Sequence, residues 1–123
     1  MFINRITLAG FVGADARHSA TQKGKEITRF SLATSKRHRE GEQRKEKTQW
    51  HECVIYGGSM KHSEDAIQKG AHLLVEGELA YRKYDRTIET DGGPIKIKWP
   101  VAEVMVHSVA RLNRQSKNEK DPV

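Results

Sequence analysis

The 123 residues amount to one domain, because two independent cores of that size would each bury too little surface. Lys and Arg number 22 against 16 Asp and Glu, and the formal net charge of +6 points to an anionic partner such as nucleic acid or an acidic lipid surface. The absence of a long apolar run excludes a membrane-spanning helix, no signal-peptide pattern opens the sequence, and a single cysteine, Cys53, excludes an internal disulfide framework and a cysteine-based zinc site.

Ile3 to Gly13 reads as a first strand, in which Ile6, Leu8 and Val12 alternate with polar or small residues and Gly10 and Gly13 predict a bulge and an end. Gln22-Lys23-Gly24-Lys25 is a turn cluster, and Thr28, Phe30, Leu32 and Thr34 alternate along a second strand. Residues 36–48 read as a charged loop around Gly41, with six basic and three acidic residues and no apolar anchor. Thr48 to Tyr56 forms a third strand ending at Gly57-Gly58.

Ser59 to Lys69 reads as the only helix, with Ser59 as its cap, Met60 and Ile67 on one face and Gly70 at its C-terminal end. Ala71 to Tyr84 is a fourth strand with Leu73, Val75, Gly77 and Leu79 on one face. Asp91-Gly92-Gly93-Pro94 turns it into a fifth, Ile95 to His107, so that the pair makes a hairpin with a long basic tip. Pro100 implies an edge or a bulge there, and residues 111–123 read as a short basic, flexible tail. Five strands with one helix between the third and fourth predict an all-β, five-stranded OB-fold barrel over residues 1–110.

In the third strand Trp50 and Tyr56 share one face with Glu52 and Val54, while Cys53 and Ile55 face the other way, toward a barrel interior. The opposite assignment, with the two aromatics in the core, is the competing reading of the same alternation. Tyr84 and Trp99 lie on the two arms of the basic hairpin. Around these rings stand Lys36, Arg37, Arg39, Arg44, Lys45 and Lys47 in the charged loop, and Arg82, Lys83, Arg86, Lys96 and Lys98 in the hairpin. Exposed aromatics interleaved with cations suit a single strand: its bases present open π-faces, and Lys and Arg neutralise the phosphates between them. Taken singly, each basic run reads better as an ordinary solvated loop, and it is the coincidence of cations with exposed aromatics that points to a single strand.

Nothing in the sequence points to catalysis, a metal or a cofactor. The histidines at 18, 38, 51, 62, 72 and 107 form no helical ligand pair, Gly10-Phe11-Val12-Gly13 precedes no helix, and no phosphate-binding Gly-Lys-Ser or Gly-Lys-Thr occurs. Cys53, flanked by Val54 and Ile55, reads as a core residue.

The chain resembles the bacterial-type single-stranded DNA-binding (SSB) family over residues 3 to about 107. The segments that carry this are Asn4-Arg5-Ile6-Thr7-Leu8-Ala9-Gly10, Phe30-Ser31-Leu32-Ala33-Thr34-Ser35, Glu46-Lys47-Thr48-Gln49-Trp50-His51, Val54-Ile55-Tyr56-Gly57, Lys69-Gly70-Ala71, Val75-Glu76-Gly77-Glu78-Leu79 and Tyr81-Arg82-Lys83-Tyr84. Each is weak alone, and their order and spacing are specific together. The resemblance implies an OB-fold homotetramer, cytoplasmic and nucleoid-associated, that binds single-stranded DNA without sequence preference in replication, recombination or repair. It places stacking aromatics at Trp50, Tyr56 and Tyr84, puts His38 where the family carries a further tryptophan, and puts His51 at a subunit contact. Trp99 has no clear family counterpart. Family members commonly end in an acidic tip after a long linker, whereas residues 111–123 carry four basic and two acidic side chains. Recruitment of replication proteins through such a tip is therefore not expected here. A primosome-type OB-fold interaction module with secondary DNA binding is the alternative within the same lineage, and an OB-fold RNA binder is a third possibility.

Overall fold

The computed structural model describes residues 1–57 and 67–113. Among them the chain forms six strands: β1 (Ile6–Val12), β2 (Arg17–Ala20), β3 (Glu26–Glu40), β4 (Gln43–Tyr56), β5 (His72–Thr90) and β6 (Gly93–Arg111). The sheet runs in the order β1-β5-β6-β4-β3-β2, and an additional β1–β3 pairing joins its ends. Five strands therefore close a barrel of the OB type, with β2 attached outside the ring as a hairpin partner of β3.

The expected helix between the third and fourth strands is corrected: no helix occurs among the described residues. Most of its predicted span, 59–66, lies outside them. Where its end is described, the backbone amides point elsewhere. The Lys69 amide donates to Oδ1 of Asp15 at 2.9 Å and that of Gly70 to the Val12 carbonyl at 2.8 Å, so neither is spent on an i−4 carbonyl. Gly70, at φ +87°, and Ala71, whose amide donates to the Gln68 carbonyl, make the turn that leads into β5.

Closure depends on two glycines without side chains to separate the strands. A Cβ on Gly10 would run into the carbonyl oxygen of Ala33, beside the pairs Phe11–Ala33 and Val12–Leu32 that join β1 to β3. A Cβ on Gly77 would likewise meet the Met105 carbonyl, at the register shift between Glu76 and Gly77 that bends β5. The bulge expected at Gly10 is thus found at Gly77, and Gly10 serves close approach instead.

The core is the inner face of this ring. Val12, Phe30, Leu32, Cys53, Ile55, Leu73, Val75, Val104 and Val106 are buried in one cluster, joined by Ile67 and Ala71. The assignment of Cys53 and Ile55 to the interior holds, while Val54, on the outer face, is buried as well, flanked in register by Arg29 and Met105.

The segment read as a charged loop is a β-ribbon. β3 and β4 remain paired from Ile27–Tyr56 out to Glu40–Gln43. Gly41, at φ +64° in the first central position of a two-residue turn, supplies the backbone that a II′ hairpin needs. No apolar anchor is required, because the ladder itself satisfies the backbone. Ser35 and Thr48 hydroxyls at 2.9 Å and Arg37 and Glu46 at 3.7 Å link the strands on the outer face, and Lys45 and Glu40 at 3.3 Å link them on the other. β5 and β6 form the second ribbon, paired out to Thr90–Gly93. β4 and β6 run parallel where they meet, at Cys53–Val104 and Val54–Met105, and each follows its own hairpin tip. Both ribbons therefore project from the same end of the barrel. Pro100 pairs with Lys83 on a stretch of β6 that β4 does not accompany, which is the edge position expected of it.

Candidate nucleic-acid interface

Strand alternation sorts the predicted residues between two faces. Ala33 and Trp50 are opposite one another on the outer face of the first ribbon, and Arg37–Glu46 and Arg39–Arg44 continue that face toward the tip. On the second ribbon the outer face carries Arg82, Tyr84 and Arg86, with Trp99 directly across from Tyr84. The structure thus brings Trp50, Tyr56, Tyr84, Trp99, Arg37, Arg82 and Arg86 to outward positions. Lys36 and Lys47, which face each other across the ladder, and His38 and Lys83 lie on the opposite faces of the ribbons.

Trp50 is 60% exposed, and the competing reading that places it in the core does not hold. Its ring leans over Gly13, where an added Cβ would lie 2.5 Å from Cζ3 and 2.7 Å from Cη2. Tyr84 and Trp99 are 38% and 41% exposed. The Arg82 guanidinium lies 5.8 Å from the Tyr84 ring centre and that of Arg86 4.7 Å from the Trp99 ring, so each platform carries a cation at its face. Tyr56 is 38% exposed at the opposite end of β4 from the ribbon tip.

Lys36 and Lys47 are exposed and have no acidic partner among the described residues. Together with Thr34, Ser35 and Gln49 they line a cleft of about 190 Å³. Like charges directly opposed on a ladder repel, and an anion between them would relieve that repulsion. His38 lies within 3.8 Å of Glu40, and with Arg37, Arg39 and Arg44 it borders a shallow depression of about 290 Å³ at the tip. His51 is half-buried at the inner side of β4, its Nε2 2.8 Å from the Thr34 hydroxyl.

Three features escaped the sequence reading. Glu103, on the outer face of β6, is buried and takes hydrogen bonds from Arg29 and Arg82. Glu52 accepts from Arg17 at 2.9 Å and from the Ser31 hydroxyl at 3.3 Å, so it is neutralised beside Trp50. Phe11, half exposed on β1, stacks on His72 at 4.4 Å and 12°. A lone acid within Val101-Ala102-Glu103-Val104 was the available sign of the first. Burial, and behind it the adjacent Glu52 carboxylate, pushes the Cys53 thiol up to about 12, so it stays protonated and unreactive. Among the described residues no group of three His, Cys, Asp or Glu side chains could hold a metal ion, and no helix is long and apolar enough to cross a membrane.

A closed five-stranded barrel with two cationic ribbons and outward aromatics defines an OB-fold protein with a nucleic-acid-type face. Residues 3–98 match the model of the single-strand binding protein family, and the chain belongs to that family. It is 41% identical over 85 residues to the single-stranded DNA-binding protein of Rhizobium meliloti, covering 67% of this chain and 49% of that one. The corresponding protein of Xanthomonas campestris is 42% identical over 84 residues, covering 67% and 48%. The chain thus spans about half the length of these curated relatives. Among solved structures it is similar to a Plasmodium falciparum SSB in complex with ssDNA, with a TM-score of 0.73 and 26% identity over 92% of this chain and 97% of that one. A deletion mutant of the single-stranded DNA binding protein from Thermus aquaticus gives a TM-score of 0.69 at 25% identity, covering 90% and 51%.

Proposed function

We propose that this chain binds single-stranded DNA without sequence preference and without catalysis, and that it serves replication, recombination or repair. The observation that carries the reading is the outer face with Trp50, Tyr84 and Trp99 exposed and cations beside the latter two. Duplex DNA hides its π-faces, so such a surface discriminates in favour of unpaired bases. Bases stack on Trp50, Tyr84 and Trp99, with Tyr56 extending the path along β4. Arg37 and Arg86 on the outer faces, and Lys36, Lys47 and Lys83 on the flanks, neutralise phosphates as the strand passes between the ribbons. His38 adds a smaller stacking surface at the tip. The family membership and the likeness to an SSB bound to ssDNA support the same reading.

The chain works as a homotetramer with His51 near a subunit contact, and its DNA partner places it with the bacterial nucleoid. Exposure of Met1, Phe2, Ile3, Phe11 and Leu112 supports assembly, since these apolar groups would be covered in an oligomer. Light scattering on a sizing column tests this, and a monomer at all concentrations would contradict it.

The binding claim is tested with Trp50→Ala. Base–aromatic stacking contributes roughly 1–3 kcal/mol per base in OB-fold single-strand binders as a class. A loss of that order in oligo-dT affinity is expected, with circular dichroism unchanged. Undiminished affinity would remove Trp50 from the site.

A further inference from the structure

Among the described residues Glu103 is the one fully buried charged side chain, 3% exposed, yet it lies on the outer face that carries the aromatics. Its Oε2 accepts two hydrogen bonds of 2.9 Å, from Nη1 of Arg29 and from Nε of Arg82. Arg29 belongs to β3, Glu103 to β6 and Arg82 to β5, so the cluster reaches across β4 and ties the barrel wall at β3 to the base of the second ribbon. Glu103 also shares with Trp50, Leu79 and Ile6 a cleft of about 150 Å³. On its far side, the Arg82 guanidinium lies 5.8 Å from the Tyr84 ring centre.

We infer that Glu103 is a positioning residue of the nucleic-acid face: it aims Arg82 at Tyr84 and withholds part of the guanidinium charge from phosphate. The inference rests on the single-strand-binding reading above. Two guanidiniums and one carboxylate leave one net positive charge, so Arg82 is not the free phosphate ligand that its place in a basic hairpin implies. This stretch between Trp50 and Tyr84 holds a strand by stacking, which salt does not screen, while the ribbon cations supply the screened attraction. An amide would still accept from the Arg82 guanidinium but without the attraction between opposite charges, so Glu103 fixes Arg82 more firmly than an amide could.

The test is the salt dependence of oligo-dT affinity for the wild type, Glu103→Gln and the double variant Glu103→Gln/Arg82→Gln, each checked for fold by circular dichroism. Glu103→Gln unmasks one positive charge and loosens Tyr84. It is expected to bind more tightly than the wild type at low salt and severalfold more weakly at high salt, its logarithmic slope steeper by about 0.7. The double variant returns the charge to its original value, so its slope matches the wild type while the high-salt weakness persists. A merely structural role would lower affinity at every salt concentration, and a Glu103→Gln line parallel to the wild type overturns the inference. Should that variant fail to fold, the double variant decides: wild-type affinity at high salt refutes the positioning role. A wild-type protein that does not bind oligo-dT refutes the underlying reading instead.

Discussion

Trp50 owes its position to Gly13, the glycine that follows β1. Its ring occupies the space that a side chain at Gly13 would need. Gly13→Ala must therefore push the exposed ring aside. Little change in the melting temperature is expected, with a shift in tryptophan emission and weaker oligo-dT binding; unchanged emission and affinity would show that the ring does not rest there. Gly10→Ala differs, because the obstacle is the Ala33 backbone at the barrel seam. Overpacking of this kind costs typically about 1–3 kcal/mol, readable as a lower denaturant midpoint. Cys53 gives a pH test. Its thiol is raised from an ordinary value of 9.0 to about 12. The folded state thus holds the proton more tightly, and its stabilising contribution is complete below pH 9 and lost as pH rises toward 12. Wild type should lose stability steadily between pH 9 and about 12 relative to Cys53→Ala in urea unfolding, by on the order of 1 kcal/mol per pH unit, and parallel profiles would contradict the buried thiol. At this scale the sequence was legible where alternation was strict, as at Cys53, Ile55 and Trp50. It was opaque where meaning depends on a neighbour distant in the chain, as with Gly13 beneath Trp50 or Glu103 between Arg29 and Arg82.

Alternation marks the strands by their apolar cores and stops where those cores end. β3 and β4 continue through Lys36–Glu40 and Gln43–Lys47 because cross-strand backbone bonds need no buried side chain, and hydropathy carries no trace of them. β2, four exposed residues whose ladder partner is β3, gives no alternation to read. The helix expectation leaned on Gly70 as a terminator, whereas Gly70 makes a turn whose amide is bound to β1. Treating the first ribbon as a separable element leads to a further prediction. Joining Ser35 to Thr48 through an Asn-Gly turn removes six basic and three acidic residues, a net charge of +3. The barrel's melting temperature should change little, since the ribbon contributes nothing to the buried cluster. The salt slope of oligo-dT binding should fall by about 2, which is 0.7 for each of three charges. An unchanged slope would place the strand elsewhere on the barrel.

Across the whole molecule, a net charge of +6 and an OB-type barrel leave many ligands open, and on the proposed reading the aromatic arrangement narrows them to an unpaired strand. The succession of the five ring strands along the chain and the outward Trp50 and Tyr56 were legible from sequence because each depends on local alternation plus turn glycines, whereas the shared outward face of Tyr84 and Trp99 follows from the β5–β6 register. The division of the cations between two faces, and the masking of Arg82 by Glu103, depend on register and burial that only the folded chain provides. The account stands on a titration of the protein with oligo-dT and with a duplex of equal length, followed by tryptophan fluorescence at low and high salt. Trp50 and Trp99 report together. Strong quenching by oligo-dT that weakens with salt, with little response to duplex, is the predicted result. Equal quenching by duplex, or none by either, would contradict it.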